Sequence, residues 1–258
     1  MKHTSLGAAA VTKELEGAGC VAAAEEAEEL IRVATDDRHL RDLLGRRTTG
    51  EPLAWITGTT RFCGVDVAVE PGVFVPRWQS EALAEMAATL LPSAGRAVDL
   101  CTGSGAVGLV MRSARPGARV VATEVDAVAA GCARRNGLEV YEGHLDRPLP
   151  EALAGRVDVM TGVLPYVPHD ALGFLPRDVQ AFEPRRALDG GPDGLDLVRD
   201  VVRRSPRWVA SGGWLLLEVG GDQISPTAAL FEASGYTDVA TLVDDDGDQR
   251  GVYGCLAA

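Results

Sequence analysis

An apolar run, Ala97 to Leu100, breaks directly into Cys101-Thr102-Gly103-Ser104-Gly105 and then into a helical pattern reaching about Ala114. A second apolar run, Arg119 to Glu124, ends on an acid 19 residues past Gly105 and leads into a second helical pattern, Ala127 to Asn136. Few folds accommodate that order. Glycines at a strand-to-helix turn let the backbone approach a ligand, and the helix start presents unpaired N–H groups. A carboxylate at the end of the neighbouring strand can accept hydrogen bonds from both hydroxyls of a ribose. Together these features predict a nucleoside-bearing ligand at the carboxyl edge of a mostly parallel sheet.

Two ligand classes compete for such a turn. Gly103, Gly105 and Gly108 satisfy G-x-G-x-x-G, the fingerprint of a nicotinamide-dependent dehydrogenase. Asp99, however, sets a negative charge beside the loop. It suits a cationic sulfonium or ammonium and repels a pyrophosphate, which favours S-adenosylmethionine. A tight turn without a ligand is the bland alternative.

The remaining pattern extends the alternation. Leu138 to Tyr141 and Val157 to Val163 read as further strands, the latter running into Leu164-Pro165-Tyr166. A helix over Leu195 to Trp208 precedes a strand over Trp214 to Val219, and a helix over Ser225 to Ser234 precedes strands at Asp238 to Val243 and Gly251 to Leu256. The last two strands are joined too closely for a parallel crossover, so they should pair antiparallel. Strands at helix-sized spacing imply helices on both faces of the sheet. Ahead of this domain, residues 4 to 48 read as helix, and alternation at Val65, Val67 and Val69 reads as a β-hairpin. The expected division is a helical cap (1–57), a hairpin linker (58–76) and a ligand-binding domain (77–258).

Composition narrows the function. The formal charge is −12, from 25 basic and 37 acidic residues, which argues against a broad nucleic-acid footprint. Five cysteines without a C-x-x-C pair, and four scattered histidines, fit reduced thiols in a cytoplasmic protein rather than a zinc site. The start of the chain does not read as a signal peptide, and no apolar run is long enough to span a membrane. Asp244-Asp245-Asp246 reads as a solvated turn, so no metal is expected.

Several separated segments resemble the HemK-type protein glutamine methyltransferases, which modify the Gly-Gly-Gln loop of peptide-chain release factors. Gly50-Glu51-Pro52-Leu53-Ala54-Trp55-Ile56 is close to that family's linker signature, and Gly72 through Glu81 is similar to its second, with Trp78 and Gln79 in place of the usual Pro and Glu. Glu183-Pro184-Arg185-Arg186-Ala187-Leu188 with Asp193-Gly194-Leu195 matches a third, and Gly212 to Glu218 resembles the family's fifth strand. The resemblance runs from about Gly50 to the C-terminus. It implies an α/β fold of the class I methyltransferase type, a Rossmann-like seven-stranded sheet ending in one antiparallel strand. It further implies that Asp99, Cys101, Thr102, Gly103, Ser104 and Gly105 cradle S-adenosylmethionine and that Glu124 holds its ribose. Leu145 would lie beside the adenine with His144 near its amino group; a surface histidine without a ligand role is the alternative for His144.

The sequence departs from the family after the fourth strand of the domain. Where the family carries Asn-Pro-Pro-Tyr, or Asn-Ala-Pro-Tyr in a divergent branch, this chain has Val163-Leu164-Pro165-Tyr166. In the family, the asparagine side chain and the next backbone carbonyl accept hydrogen bonds from the target amide. Val163 cannot, and an amide without a partner in a dry site is costly. The expectation is therefore a methyltransferase with a nitrogen or oxygen acceptor other than the release-factor glutamine, such as a small molecule of specialised metabolism. Glutamine methylation of a release factor is the alternative; a catalytically silent binding protein is a further one. Candidate catalytic residues are Val163, Leu164, Pro165 and Tyr166 at the acceptor corner, with His169, Tyr166 or Glu183 as a general base.

Overall fold

A computed structural model describes residues 6–257. Residues 4 and 5 of the expected helical stretch, and both chain ends of the expected cap and ligand-binding domain, lie outside that range. The helical stretch is not continuous. It forms α1 (Ala8–Gly17), α2 (Ala23–Val33) and α3 (Asp37–Thr48), followed by a short α4 (Leu53–Thr57). The breaks have local causes: Gly19 turns left-handed at φ 86° after α1, and Asp36 caps α3 by accepting from the His39 N–H at 2.8 Å. Val11, Leu15, Leu30, Leu40 and Leu44 close a small core of their own.

The helix α4 joins this core to the rest of the molecule. Ile56 belongs to the helical cluster, whereas Trp55 packs into the main core and donates its Nε1–H to the Val73 carbonyl at 2.9 Å. The hairpin β1 (Thr59–Phe62) and β2 (Val65–Ala68) follows. Its two-residue turn, Cys63-Gly64, has both φ angles positive (45° and 73°), the combination that matches the twist of paired strands. Phe62, Val67, Val69 and Val73 are buried in the main core.

The main sheet contains β3 (Arg96–Leu100), β4 (Arg119–Glu124), β5 (Glu139–Glu142), β6 (Val157–Gly162), β7 (Val209–Glu218), β8 (Tyr236–Val243) and β9 (Gln249–Leu256), in the order β5-β4-β3-β6-β7-β9-β8. Between them run α5 (Glu81–Leu90), α6 (Ala106–Ala114), α7 (Ala127–Arg135), α8 (Arg177–Phe182), α9 (Asp196–Arg204) and α10 (Ile224–Ala233). Two hydrophobic clusters, one on each face of the sheet, make it a three-layer α/β structure.

The sole antiparallel strand of this sheet is the last in sequence but not the outermost in space. β9 lies between β7 and β8 and runs against both. Its close approach depends on glycine: a side chain at Gly251 would meet the Leu217 carbonyl oxygen at 2.3 Å. β8, with only Tyr236 and Leu242 buried, takes the edge. The seventh strand starts at Val209, five residues before the apolar run suggested, with an irregular register against β6 between Val157 and Val159. The helix α8 was not evident from the sequence; Phe182 stands edge-on to Trp55 at 6.3 Å between ring centres. Among the described residues no helix is long and apolar enough to cross a membrane.

Candidate active site

The chain builds β4 and β5 to one side of β3 and then crosses to build β6 and β7 on the other. A crevice opens at such a reversal, beyond the carboxyl ends of the strands. Here it is a cavity of about 310 Å³ whose wall includes the glycine loop, Glu124, His144, Leu145 and the Val163–Tyr166 corner.

The glycine loop is set by two carboxylates. Asp99 is 2% exposed and accepts from Thr161 Oγ1 at 2.8 Å, Thr102 Oγ1 at 2.5 Å and the Gly108 N–H at 3.2 Å. Burial pushes its carboxyl up to about 6 despite those bonds. Glu124 accepts from the Gly103 N–H with one oxygen (2.9 Å) and from the Val125 and Asp126 N–H groups with the other (2.8 and 2.9 Å). Cys101 turns left-handed at φ 52° and Gly105 at φ 92°, where a side chain would strike Leu138 at 2.8 Å. Burial raises the Cys101 thiol, so it stays a neutral wall element.

This arrangement discriminates between the two ligand classes. A pyrophosphate needs the loop N–H groups, but those of Gly103 and Gly108 already serve carboxylates, and the phosphates would face Asp99 and Glu124. A nucleoside carrying a positive charge fits the same wall without repulsion. The Asp99 side chain organises the loop as well as lending it charge, which the sequence reading did not separate.

The residues after β5 are held by a part-buried ion pair that sequence reasoning missed. Asp146 accepts from Arg204 (2.7 and 3.0 Å) and from Trp208 Nε1 (2.7 Å). Burial alone would raise the Asp146 carboxyl; Arg204 and Trp208 outweigh it and hold the group below its ordinary value. That anchor fixes the turn carrying Leu145, 3% exposed at φ 51°, and the exposed His144 beside it.

At the opposite end stand Val163, Leu164, Pro165 and Tyr166. The Tyr166 hydroxyl donates to Glu218 Oε1 at 3.0 Å, and burial beside that carboxylate raises its pKa well above the ordinary tyrosine range. The other two candidate bases lie elsewhere. His169 faces Asp189 through Nδ1 (3.1 Å) and Arg185 through Nε2 (3.3 Å) on an exposed turn, outside the cavity wall. Glu183 is buried in an ion pair with Arg77 and lines a separate cavity of about 220 Å³ under the hairpin. Burial raises its carboxyl, and Arg77 opposes the rise. Arg77 borders both cavities, so Glu183 reaches the larger one only through Arg77.

Several wall residues lie in or near the family-like segments but were not singled out as site residues. Phe62 and Phe74 arrive from the hairpin region, and Pro184, Arg186, Ala187 and Leu188 add to the wall, where Arg186 pairs with Asp126 at 2.9 Å. Glu218 arrives from β7. The aspartate turn after β8 closes on itself: Asp244 accepts from the Asp246 and Asp248 N–H groups and from Arg250.

No family model matches the chain. It is 37% identical over 220 residues to the release factor glutamine methyltransferase of Geobacter sulfurreducens, covering 83% of this chain and 76% of that protein. It is 38% identical over 216 residues to the enzyme of the same name from Mycolicibacterium smegmatis, covering 81% and 76%. Among solved structures, a methyltransferase from Pyrococcus furiosus superimposes with a TM-score of 0.54 at 18% identity, over 76% of this chain and 90% of that one, a likeness of fold alone.

Proposed function

The chain belongs to the release factor glutamine methyltransferase (HemK) family of S-adenosylmethionine-dependent enzymes, and from that premise we propose that it methylates the side-chain amide of a glutamine in a peptide-chain release factor. One observation supports the assignment: a single cavity joins the carboxylate-set glycine loop to the Val163–Tyr166 corner. In this reading the protein works in the cytoplasm, which its five unpaired cysteines fit. Residues 1–57 act as a cap, 58–76 as a linker and 77–258 as the catalytic domain.

We assign Cys101 to Gly105 and Glu124 to the cofactor, with Leu145 against the adenine and His144 at its rim. S-adenosylmethionine supplies an electrophilic methyl group on a positively charged sulfur. The protein's own contribution is to hold the acceptor in line and to exclude water. The Leu164 carbonyl serves as one acceptor for the amide N–H, Pro165 fixes the backbone there, and Tyr166, tied to Glu218, forms the wall. The amide nitrogen sheds one proton to water after the methyl has transferred, so positioning rather than prior proton abstraction carries this chemistry, in keeping with His169 and Glu183 standing outside the cavity.

Val163 favours a second reading. A half-buried valine stands where the family's asparagine would bind the amide, so a different nitrogen or oxygen acceptor on a small molecule would lose less. Transfer of labelled methyl to purified release factor, with wild type and Val163→Asn side by side, separates the two. Label on the glutamine with wild type supports the first reading. Label only with Val163→Asn, while wild type still binds S-adenosylmethionine, moves the search to small molecules.

A further inference from the structure

The acceptor end of the cavity holds a carboxylate that the proposed reaction leaves unused. Glu218 ends β7, is 4% exposed and lines the cavity wall. Its Oε1 is bound by Tyr166, and its buried Oε2 has no hydrogen-bond partner. Burial raises the Glu218 carboxyl, and the Ser80 and Tyr166 hydroxyls and the Arg250 charge oppose the rise; none of them makes a well-formed hydrogen bond to Oε2. A buried carboxylate oxygen is costly to leave unsatisfied, so an unpaired acceptor on a side chain that lines the cavity points to a donor on the ligand.

The register places this oxygen beside the missing asparagine. Thr161 pairs with Leu216 and Gly162 with Leu217. Val163 is the first residue past the end of β6, and the same register continued by one step sets it opposite Glu218. Side chains alternate along a strand, so Val163 and Glu218 share the sheet face of Thr161 and Leu216, one strand spacing apart. A donor presented to Val163 is therefore within a side chain's reach of Glu218.

We propose that Glu218 Oε2 accepts an N–H of the methyl-accepting nitrogen in place of the asparagine replaced by Val163, and so selects an NH₂ acceptor, such as a primary amide, over a hydroxyl. An NH₂ group satisfies both the Leu164 carbonyl and Glu218, whereas a hydroxyl can satisfy only one. The assignment rests on the acceptor entering at the Val163–Tyr166 corner, as read above; it does not require that the amide belong to a release factor.

The test is calorimetry on the full chain saturated with S-adenosylhomocysteine, titrated with Gly-Gly-Gln and Gly-Gly-Glu peptides. Glu218→Ala should weaken Gly-Gly-Gln binding by about ten- to a hundredfold, the loss of one hydrogen bond to a charged acceptor. Adding Val163→Asn to that variant should restore most of the loss. Affinity for S-adenosylhomocysteine should stay within about twofold, as a general disruption of the site would not allow. Should the alanine variant fail to fold, Glu218→Gln keeps the volume, weakens the acceptor and should shift affinity the same way. Unchanged peptide affinity in a folded Glu218 variant overturns the proposal, as does no rescue by Val163→Asn or no binding of any primary amide by wild type. Methyl transfer to a primary amide outside release factors would sink the glutamine reading and leave Glu218 in its role. Transfer to hydroxyl acceptors alone would sink Glu218 as well.

Discussion

The side-chain amide of Asn136 pairs with the backbone of Ala68 as a strand would. Nδ2 donates to the Ala68 carbonyl at 2.8 Å and Oδ1 accepts from its N–H at 3.0 Å. Nδ2 also donates to the Ser104 carbonyl at 2.8 Å. One residue at the end of α7 thus ties the hairpin to the glycine loop. Asn136→Ala should cost about 2–3 kcal/mol of stability, from two or three part-buried hydrogen bonds, and should weaken S-adenosylmethionine binding. Urea unfolding and calorimetry measure the two effects; an intact affinity in a destabilised variant would separate the hairpin from the loop.

Glu124→Ala should weaken S-adenosylmethionine binding by about 2–4 kcal/mol, through lost bonds to a charged acceptor. The same change frees the Gly103, Val125 and Asp126 N–H groups, so the thermal midpoint should fall as well. Affinity unchanged in calorimetry would remove Glu124 from the cofactor site.

Asp99 makes stability depend on pH in an unusual direction. Its folded pKa, about 6, lies above the ordinary value of 3.8, so the folded state binds more protons between those limits. The contribution is present below about pH 4 and lost as pH rises through 6, on the order of 3 kcal/mol in all. Asp99→Asn should abolish that fall. Denaturant titrations of both proteins at pH 4, 5, 6 and 7 give the difference, and parallel pH profiles would refute the assignment.

Phe62, in the hairpin, is 1% exposed and packs in the main core. Phe62→Ala should cost about 3–5 kcal/mol in chemical unfolding. A loss near zero would mean that the hairpin is a tether rather than part of the core.

Arg186, on the Pro184–Leu188 strap, and Asp126 both line the cavity and form an ion pair whose arginine is 64% exposed. Exposed pairs contribute little free energy, about 0–1 kcal/mol. Arg186→Ala should therefore change the S-adenosylmethionine dissociation constant by less than about fivefold while speeding both association and release. Stopped-flow binding resolves the two rates, and unchanged rates would mean that the strap does not gate the cavity.

The sequence carried the β3–α6–β4 unit, Glu124 and the antiparallel close of the chain, because each depends on local periodicity, a glycine turn or a link too short to cross over. It also exposed the departure at Val163, since a motif is read position by position. It did not reveal α8, the early start of β7 at Val209, or the insertion of β9 between β7 and β8, which depend on packing between distant segments. His169, close after Tyr166, and Glu183 read in sequence as candidates for proton transfer. Folding turned one toward Asp189 and Arg185 and buried the other against Arg77.

By itself, then, the sequence determined most of the strand-and-helix order, the glycine turn with Glu124 at the end of the next strand, and a valine where the family it resembles carries asparagine. The tertiary structure alone decided which atoms face the cavity. Glu218 and Val163 are 55 positions apart in the chain, and only the parallel pairing of β6 with β7 brings both to the wall of one cavity. Asp99 likewise is an ordinary acid in sequence, and only its burial among Thr102, Thr161 and Gly108 shifts its proton affinity. Proximity and desolvation arise from chain segments that meet on folding, so no local pattern could encode them.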